Sequence, residues 1–280
     1  STTVLPINRK TLEDVFFKKF KDEKDVIEFL DKLRNLKIIP KNADEFFESK
    51  IGNKLADIFF RPYTKKMWGI DPKQLSIGIG ARLPIRTNYD DRYFNDSFQV
   101  LPKDGYTKMV EKILDHKNIK VKLNCVFDKS MEKNFEHTFL CMPIDSYYNY
   151  NFGHLPYRSI LFEDRILKKD DLPSTVVNFT DNSKYTRMTQ WSLFPNSGKC
   201  KSKFKTFTYE IPCDMKDNPN EYYYPIQTNK SKKLYEKYLL LSKQNTNVTF
   251  CGRTGLFKYL DMLPCVLLHL RIANNFLKNY

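Results

Sequence analysis

The chain has 280 residues, a formal net charge of +14 and 41% hydrophobic composition, with 17 Tyr, 22 Phe and only 9 Gly. That is enough apolar material for one large or two modest cores, and it excludes a disordered or collagenous chain. The basic excess, 47 Lys plus Arg against 33 Asp plus Glu, favours anionic partners, and no apolar run reaches membrane-spanning length.

Residues 11–60 place apolar side chains at spacings of three and four, in "LEDVFFKKF" and "VIEFLDKLRNL", which predicts helices. Asn42 followed by Glu45 resembles a capping box opening "ADEFFESKIGNKLADIFF". Pro62 punctuates the pattern, and Gly69 with Asp71-Pro72 marks a turn. Residues 78–94, "GIGARLPIRTNYDDRYF", hold Arg82 and Arg86, then Tyr89, Tyr93 and Phe94 around Asp90 and Asp91. "GIGARL" imitates a dinucleotide fingerprint, but Leu83 stands where the third Gly belongs and no clear strand precedes it.

"VLPKDGYTKMVEKIL" predicts a strand end, a turn at Asp104-Gly105 and a short amphipathic helix. "NIKVKLNCVF" (118–127) alternates like a half-buried strand, and "HTFLCMPI" (137–144) reads as a short strand stopping at Pro143. From 157 to 226, short β-like runs separated by turn residues predict an antiparallel sheet. Residues 231–244 read as helix, "NVTFCGR" as a strand entering a turn, and 260–279 as a last helix. The fold class expected is α+β: a helical bundle plus an antiparallel β-sheet.

The six cysteines, Cys125, Cys141, Cys200, Cys213, Cys251 and Cys265, form no CxxC pair and stand at no zinc-finger spacing from a His. In "FLCMP" and "LPCVLL" Cys reads as a small core hydrophobe, and the setting as a reducing one. The four histidines are scattered, so no metal site is expected, and no Walker A, HExxH or GxSxG motif occurs. "KCKSKFK" (199–205) reads as a lysine-guarded strand edge; without an RNA or DNA motif, nucleic acid is not an expected partner.

What remains is a set of Arg, Tyr and Trp residues in turn-rich places: Tyr63, Trp68, Arg82, Tyr93, Arg187, Tyr224, Arg253 and Tyr259. Arginine forks and tyrosine hydroxyls suit phosphate oxygens, although each alone reads first as structural, a solvated Arg or a packed or rim Tyr. Their order is more informative. "YTKKMWG", "ARLPIR" with "YDDRYF", "LPKDGYTKM", "PID" with "YRSI", "VVNFTD" with "YTR", "YYP", and "GR" with "KYLDM" follow one another along the chain. Together they resemble the UDP-galactopyranose mutase family over nearly the whole length.

The resemblance implies an isomerase, a cytoplasmic flavoprotein that uses reduced FAD as a nucleophile. It would interconvert UDP-galactopyranose and UDP-galactofuranose, with the flavin N5 attacking the anomeric carbon. It implies Arg82 and Arg187 as diphosphate arginines of catalysis, and Tyr63, Thr64, Trp68, Tyr93, Tyr224 and Tyr259 as substrate-binding residues. Arg253, Asp261 and Met262 would border FAD, and UDP-galactose or a similar UDP-hexose would be the partner. The implied organisation is a helical substrate domain at 1–97 with a mobile loop at 78–94, and an FAD-type remnant at 98–147. An antiparallel β-sheet substrate domain at 148–244 and a C-terminal strand-helix of the FAD-type domain at 245–280 complete it. The family opens with a glycine-rich βαβ unit that binds the FAD pyrophosphate. The fold expected here lacks that first unit, so another segment, a longer native product, or a partner segment or homo-oligomer would complete it. Met142 and Cys251 stand where the family carries Gly, and Phe257 replaces a Tyr. A flavin-free UDP-sugar-binding or protein-interaction relative is the alternative those departures imply.

Overall fold

The computed structural model describes residues 2–80, 84–168, 170–195, 197, 202–219 and 221–279. Helices α1 (Arg9–Phe16), α2 (Glu23–Leu33) and α3 (Ala43–Leu55) come first, and each has a side-chain cap. Oxygens of Asn8, Asp22 and Asn42 accept from the N–H groups of Thr11, Asp25 and Glu45, satisfying donors that a helix start leaves open. A single π-helical turn, Ala56–Phe60, leads into α4 (Arg61–Trp68). Pro62 therefore does not end the helical stretch. It occupies the first turn of α4, where its missing N–H costs nothing. Gly69, at φ 70°, closes that helix.

Then follow α5 (Gly105–Leu114), β1 (Thr138–Leu140), α6 (Ile144–Tyr147), β2 (Tyr157–Lys168), β3 (Val176–Asn178), β4 (Arg187–Gln190) and β5 (Phe204–Asp214). The chain ends with β6 (Tyr224–Pro225), α7 (Asn229–Ser242), β7 (Val248–Phe250), α8 (Gly252–Gly255) and α9 (Met262–Asn279). Strands β1 and β7 pair in parallel, with Leu140 opposite Phe250. The second sheet has the order β3-β4-β5-β2-β6, and its β3–β4, β4–β5 and β2–β6 pairs are antiparallel. The fold is mixed α+β, as the period changes along the sequence imply. Residues 118–127 are a departure: they form no strand, and 118–126 are exposed. Alternation alone does not make a strand; a ladder needs a neighbour to exchange hydrogen bonds with.

Two compact units divide the chain, Ser1–Val110 with Phe162–Pro212, and Glu111–Leu161 with Cys213–Tyr280. In the first, Leu12, Val26, Leu30, Phe47, Ile51 and Leu55 are buried where α1, α2 and α3 turn their apolar faces inward. Gly52 breaks α3 at φ 76°, and a Cβ there would meet the Leu33 carbonyl oxygen at 2.1 Å, so only glycine lets the two helices approach. In the same unit's strands, Met188, Phe207 and Tyr209 form a small core with Phe179 and Tyr185. In the second unit, Leu140, Ile144, Leu155, Tyr157, Tyr238 and Phe250 make the core. The Tyr238 hydroxyl is fully used inside it, donating to Gly153 O (2.7 Å) and accepting from Phe152 N (2.9 Å).

Candidate functional site

In the second unit, three of the expected residues come together. Tyr224 on β6 and Tyr259 after α8 face each other with ring centroids 5.4 Å apart. The Arg253 guanidinium lies over both rings, 5.4 and 5.0 Å from their centroids. Its Nη2 donates to Tyr223 O at 2.6 Å, which fixes the plane of the fork. Its Nε is buried and has no hydrogen-bond partner among the described residues. A fixed guanidinium among phenol rings is a planar cation with directed donors, suited to an oxyanion such as a phosphate. Asp261 and Met262 are exposed at the start of α9. Asp145 is buried and holds Leu155 N through Oδ2 at 2.8 Å; burial raises its pKa.

In the first unit, Tyr63, Thr64 and Trp68 all lie on α4. Thr64 and Trp68, four apart, share its buried face, while Tyr63 is half-buried. Lys66 anchors the helix by donating to Phe179 O (3.1 Å) and Tyr185 O (2.7 Å), and burial lowers its pKa. Arg187 opens β4 with its Nη1 3.5 Å from Glu210 Oε1. Burial raises the Glu210 pKa against the pull of that guanidinium. Tyr93 is partly exposed with its ring edge-on to Phe94. Arg82 lies outside the described residues. The segment after it is tied down: Arg86 donates to Arg92 O and pairs with Asp90, and Tyr89 OH donates to Glu13 at 2.9 Å.

One constellation escaped the sequence reading. Cys141 directly follows β1 and Cys251 directly follows β7, so the parallel register sets them side by side, Sγ to Sγ 3.4 Å. Cys141 is exposed, where the apolar run around it suggested a core residue; Cys251 is buried. His269 and Cys265, one turn apart on α9, stand with them: His269 Nε2 accepts from Gly252 N at 2.6 Å, and its Nδ1 meets Cys265 O at 2.6 Å. Nothing in the spacing pointed to this, because 110 residues separate Cys141 from Cys251. Among the described residues, no group of three or more His, Cys, Asp and Glu side chains could hold a metal ion. No helix there is long and apolar enough to cross a membrane.

A parallel strand pair closed by a glycine turn, a five-stranded sheet and a helical N-terminal part define a mixed α+β protein. The family model described as UDP-galactopyranose mutase matches residues 58–259. A Klebsiella pneumoniae protein named "Probable UDP-galactopyranose mutase" is 36% identical over 276 residues, covering 98% of this chain and 71% of its own length. An Escherichia coli protein named dTDP-fucopyranose mutase is 34% identical over 248 residues, 86% of this chain and 65% of the relative. The solved structure titled "Crystal structure of reduced UDP-Galactopyranose mutase" shares the fold at TM-score 0.59 and 16% identity, covering 84% of this chain and 67% of that one. The chain belongs to the UDP-galactopyranose mutase family. It spans 71% of the first relative and just under two-thirds of the second.

Proposed function

We propose that this chain carries the substrate site of a mutase that interconverts UDP-galactopyranose and UDP-galactofuranose. The observation that supports it most is the Arg253 fork fixed between Tyr224 and Tyr259. In this reading, which rests on the family likeness and is taken unit by unit, Tyr224 and Tyr259 are the diphosphate hydroxyls of the second unit, and Tyr93, Arg187 and Arg82 are the diphosphate groups of the first. Tyr63 stacks on the base, and Thr64 and Trp68 line the sugar side. The reaction needs a departing nucleoside diphosphate that stays bound for recapture. Guanidiniums held in place before the bond breaks lower the cost of that polyanion.

Reduced FAD, when bound, supplies the nucleophile in this chemistry, and Arg253, Asp261 and Met262 are the residues proposed to border it. The residues of this chain do not make its cradle on their own. The Gly252 N–H is already taken by His269, and a Cβ at Gly252 would meet the Cys141 Cβ at 3.1 Å, so the backbone there faces a side chain. That crowding favours the second reading, a flavin-free relative that keeps nucleotide-sugar recognition.

Thermal unfolding with UDP and dTDP, beside an absorbance spectrum, separates the readings. UDP at a hundred times its Kd stabilises the folded chain by about 2.7 kcal/mol. Arg187→Ala should weaken UDP binding about tenfold, which at the same UDP concentration cuts that stabilisation to about 1.4 kcal/mol. A stronger response to dTDP moves the substrate toward a thymidine sugar. Flavin absorbance in the purified chain supports the mutase reaction; a colourless chain that responds to UDP supports the second reading. If neither nucleotide shifts the melting temperature, both readings fail.

A further inference from the structure

We propose that Cys141 and Cys251 are a thiol-modification site, which reacts with small-molecule disulfides and closes into a reversible disulfide across the ends of β1 and β7. The inference is independent of the nucleotide reading. Four observations carry it. First, the two sulfurs already lie 3.4 Å apart, on residues that extend a registered parallel pair, with Cys251 N donating to Leu140 O at 2.9 Å. Adjacent strands put neighbouring Cα atoms about 5 Å apart, inside the range a disulfide spans. Second, the pair is asymmetric: Cys141 is open to solvent and Cys251 is only 6% exposed. One sulfur can meet a reagent and the other can only meet its neighbour. Third, Gly252 makes the room. A Cβ at Gly252 would sit 3.2 Å from the Cys141 sulfur, and the glycine's φ of 74° disfavours any other residue there. Fourth, the hydrogen bond shared by the two sulfurs, with His269 nearby, pulls the Cys141 pKa below the ordinary thiol range, whereas that bond and burial push Cys251 up.

The chemistry balances as a thiol–disulfide exchange. The Cys141 thiolate attacks one sulfur of a small disulfide RSSR, forming Cys141–S–S–R and releasing RS⁻. The Cys251 thiol passes its proton to that thiolate and attacks the Cys141 sulfur, expelling the second RS⁻, which takes up the proton Cys141 had lost. Two protein thiols are oxidised and one disulfide is reduced to two RSH. The product ties together the ends of two strands that lie 110 residues apart in the chain.

The test uses the full chain, fully reduced, desalted and treated with oxidised glutathione, then blocked and peptide-mapped. The expected product is a Cys141–Cys251 link, reversed by dithiothreitol. Cys251→Ser should instead stop at a stable glutathione adduct on Cys141. A wild-type chain that stops at that adduct, or that links Cys265 to either cysteine, overturns the proposal. A measurement that needs no variant stands beside it. In the reduced wild type at neutral pH, iodoacetamide should alkylate Cys141 about tenfold faster than the exposed Cys125. Equal rates also overturn it.

Discussion

Helices α2 and α9 are both amphipathic, and they end up in opposite situations. In α2, Val26 and Leu30 are buried, capped from below by Asp22 and packed toward α3. In α9, Leu263, Val266, Leu267, Leu270 and Leu277 are all exposed, from 48% to 71%. The difference extends to the elements around them. The helical unit closes its core with three capped helices, whereas β1 and β7 form a two-stranded parallel sheet, an arrangement usually buried on both faces and marginal by itself. A periodic pattern thus specifies that an element forms and which face is apolar. Burial is a property of the neighbours: α2 has them on its apolar face, whereas in α9 the stripe from Leu263 to Leu277 does not.

Two substitutions probe how deeply each unit depends on its packing. Gly52→Ala should be the most damaging change in the chain. It adds a Cβ 2.1 Å from the Leu33 carbonyl oxygen at a φ of 76°, a backbone clash that no rotamer relieves. A loss of about 3 kcal/mol or more is expected in denaturant unfolding. Full stability in this variant would mean that α2 and α3 do not pack as described. Tyr238→Phe keeps the ring and removes the hydroxyl, stranding Phe152 N and Gly153 O. The expected loss is about 1–3 kcal/mol. An unchanged midpoint would show the second unit to be loose even at its centre, and would widen the contrast with the first.

A gentler probe lies in the charge network of the helical unit. Glu13 accepts hydrogen bonds from Lys19 (2.8 Å) and Tyr89 (2.9 Å), which hold its pKa near about 2, well below the ordinary carboxylate range. A carboxylate depressed in the folded state adds stability above its ordinary pKa of about 4.3, and that contribution disappears as pH falls toward 2. Glu13→Gln should therefore be less stable than wild type at neutral pH, with the gap narrowing below about pH 4 and closing near about pH 2. Unfolding curves across that range that stay parallel would remove the network from the account.

Much of this was readable in advance, for identifiable reasons. The Asn42–Glu45 cap is local, and half of the box forms: Glu45 N donates to Asn42 Oδ1 at 2.9 Å, while the Glu45 carboxylate accepts from Lys41 N at 2.8 Å in place of Asn42 N. The antiparallel middle was legible because period-two runs and turn residues alternate there. Residues 118–127 were misread because alternation cannot report whether a second strand stands beside it. The Cys141–Cys251 pair was invisible because it depends on the register of β1 against β7, a long-range fact that no local spacing encodes. The Arg253–Tyr224–Tyr259 cluster lies between these cases. Family likeness pointed to the residues, but only the turn after β7 and its approach to β6 put the guanidinium over both rings.

The smallest expected effect is the one that tests the comparison most directly. If α9 contributes its helix but not its apolar stripe to the core, polar replacements on that stripe should cost almost nothing. Leu270→Lys and Val266→Ser each remove an exposed apolar side chain and leave His269 and Cys265 on the adjoining positions untouched. Surface changes away from packed features fall within about 0.5 kcal/mol, and Lys sustains a helix as well as Leu does, whereas Ser is slightly poorer. The expected result is an unchanged unfolding midpoint and less self-association at high concentration, since a contiguous exposed apolar stripe is what drives such contacts. Either variant losing more than about 1 kcal/mol would mean that something buries the stripe in solution. The helix would then be a core element like α2, and the contrast between the two units would fall.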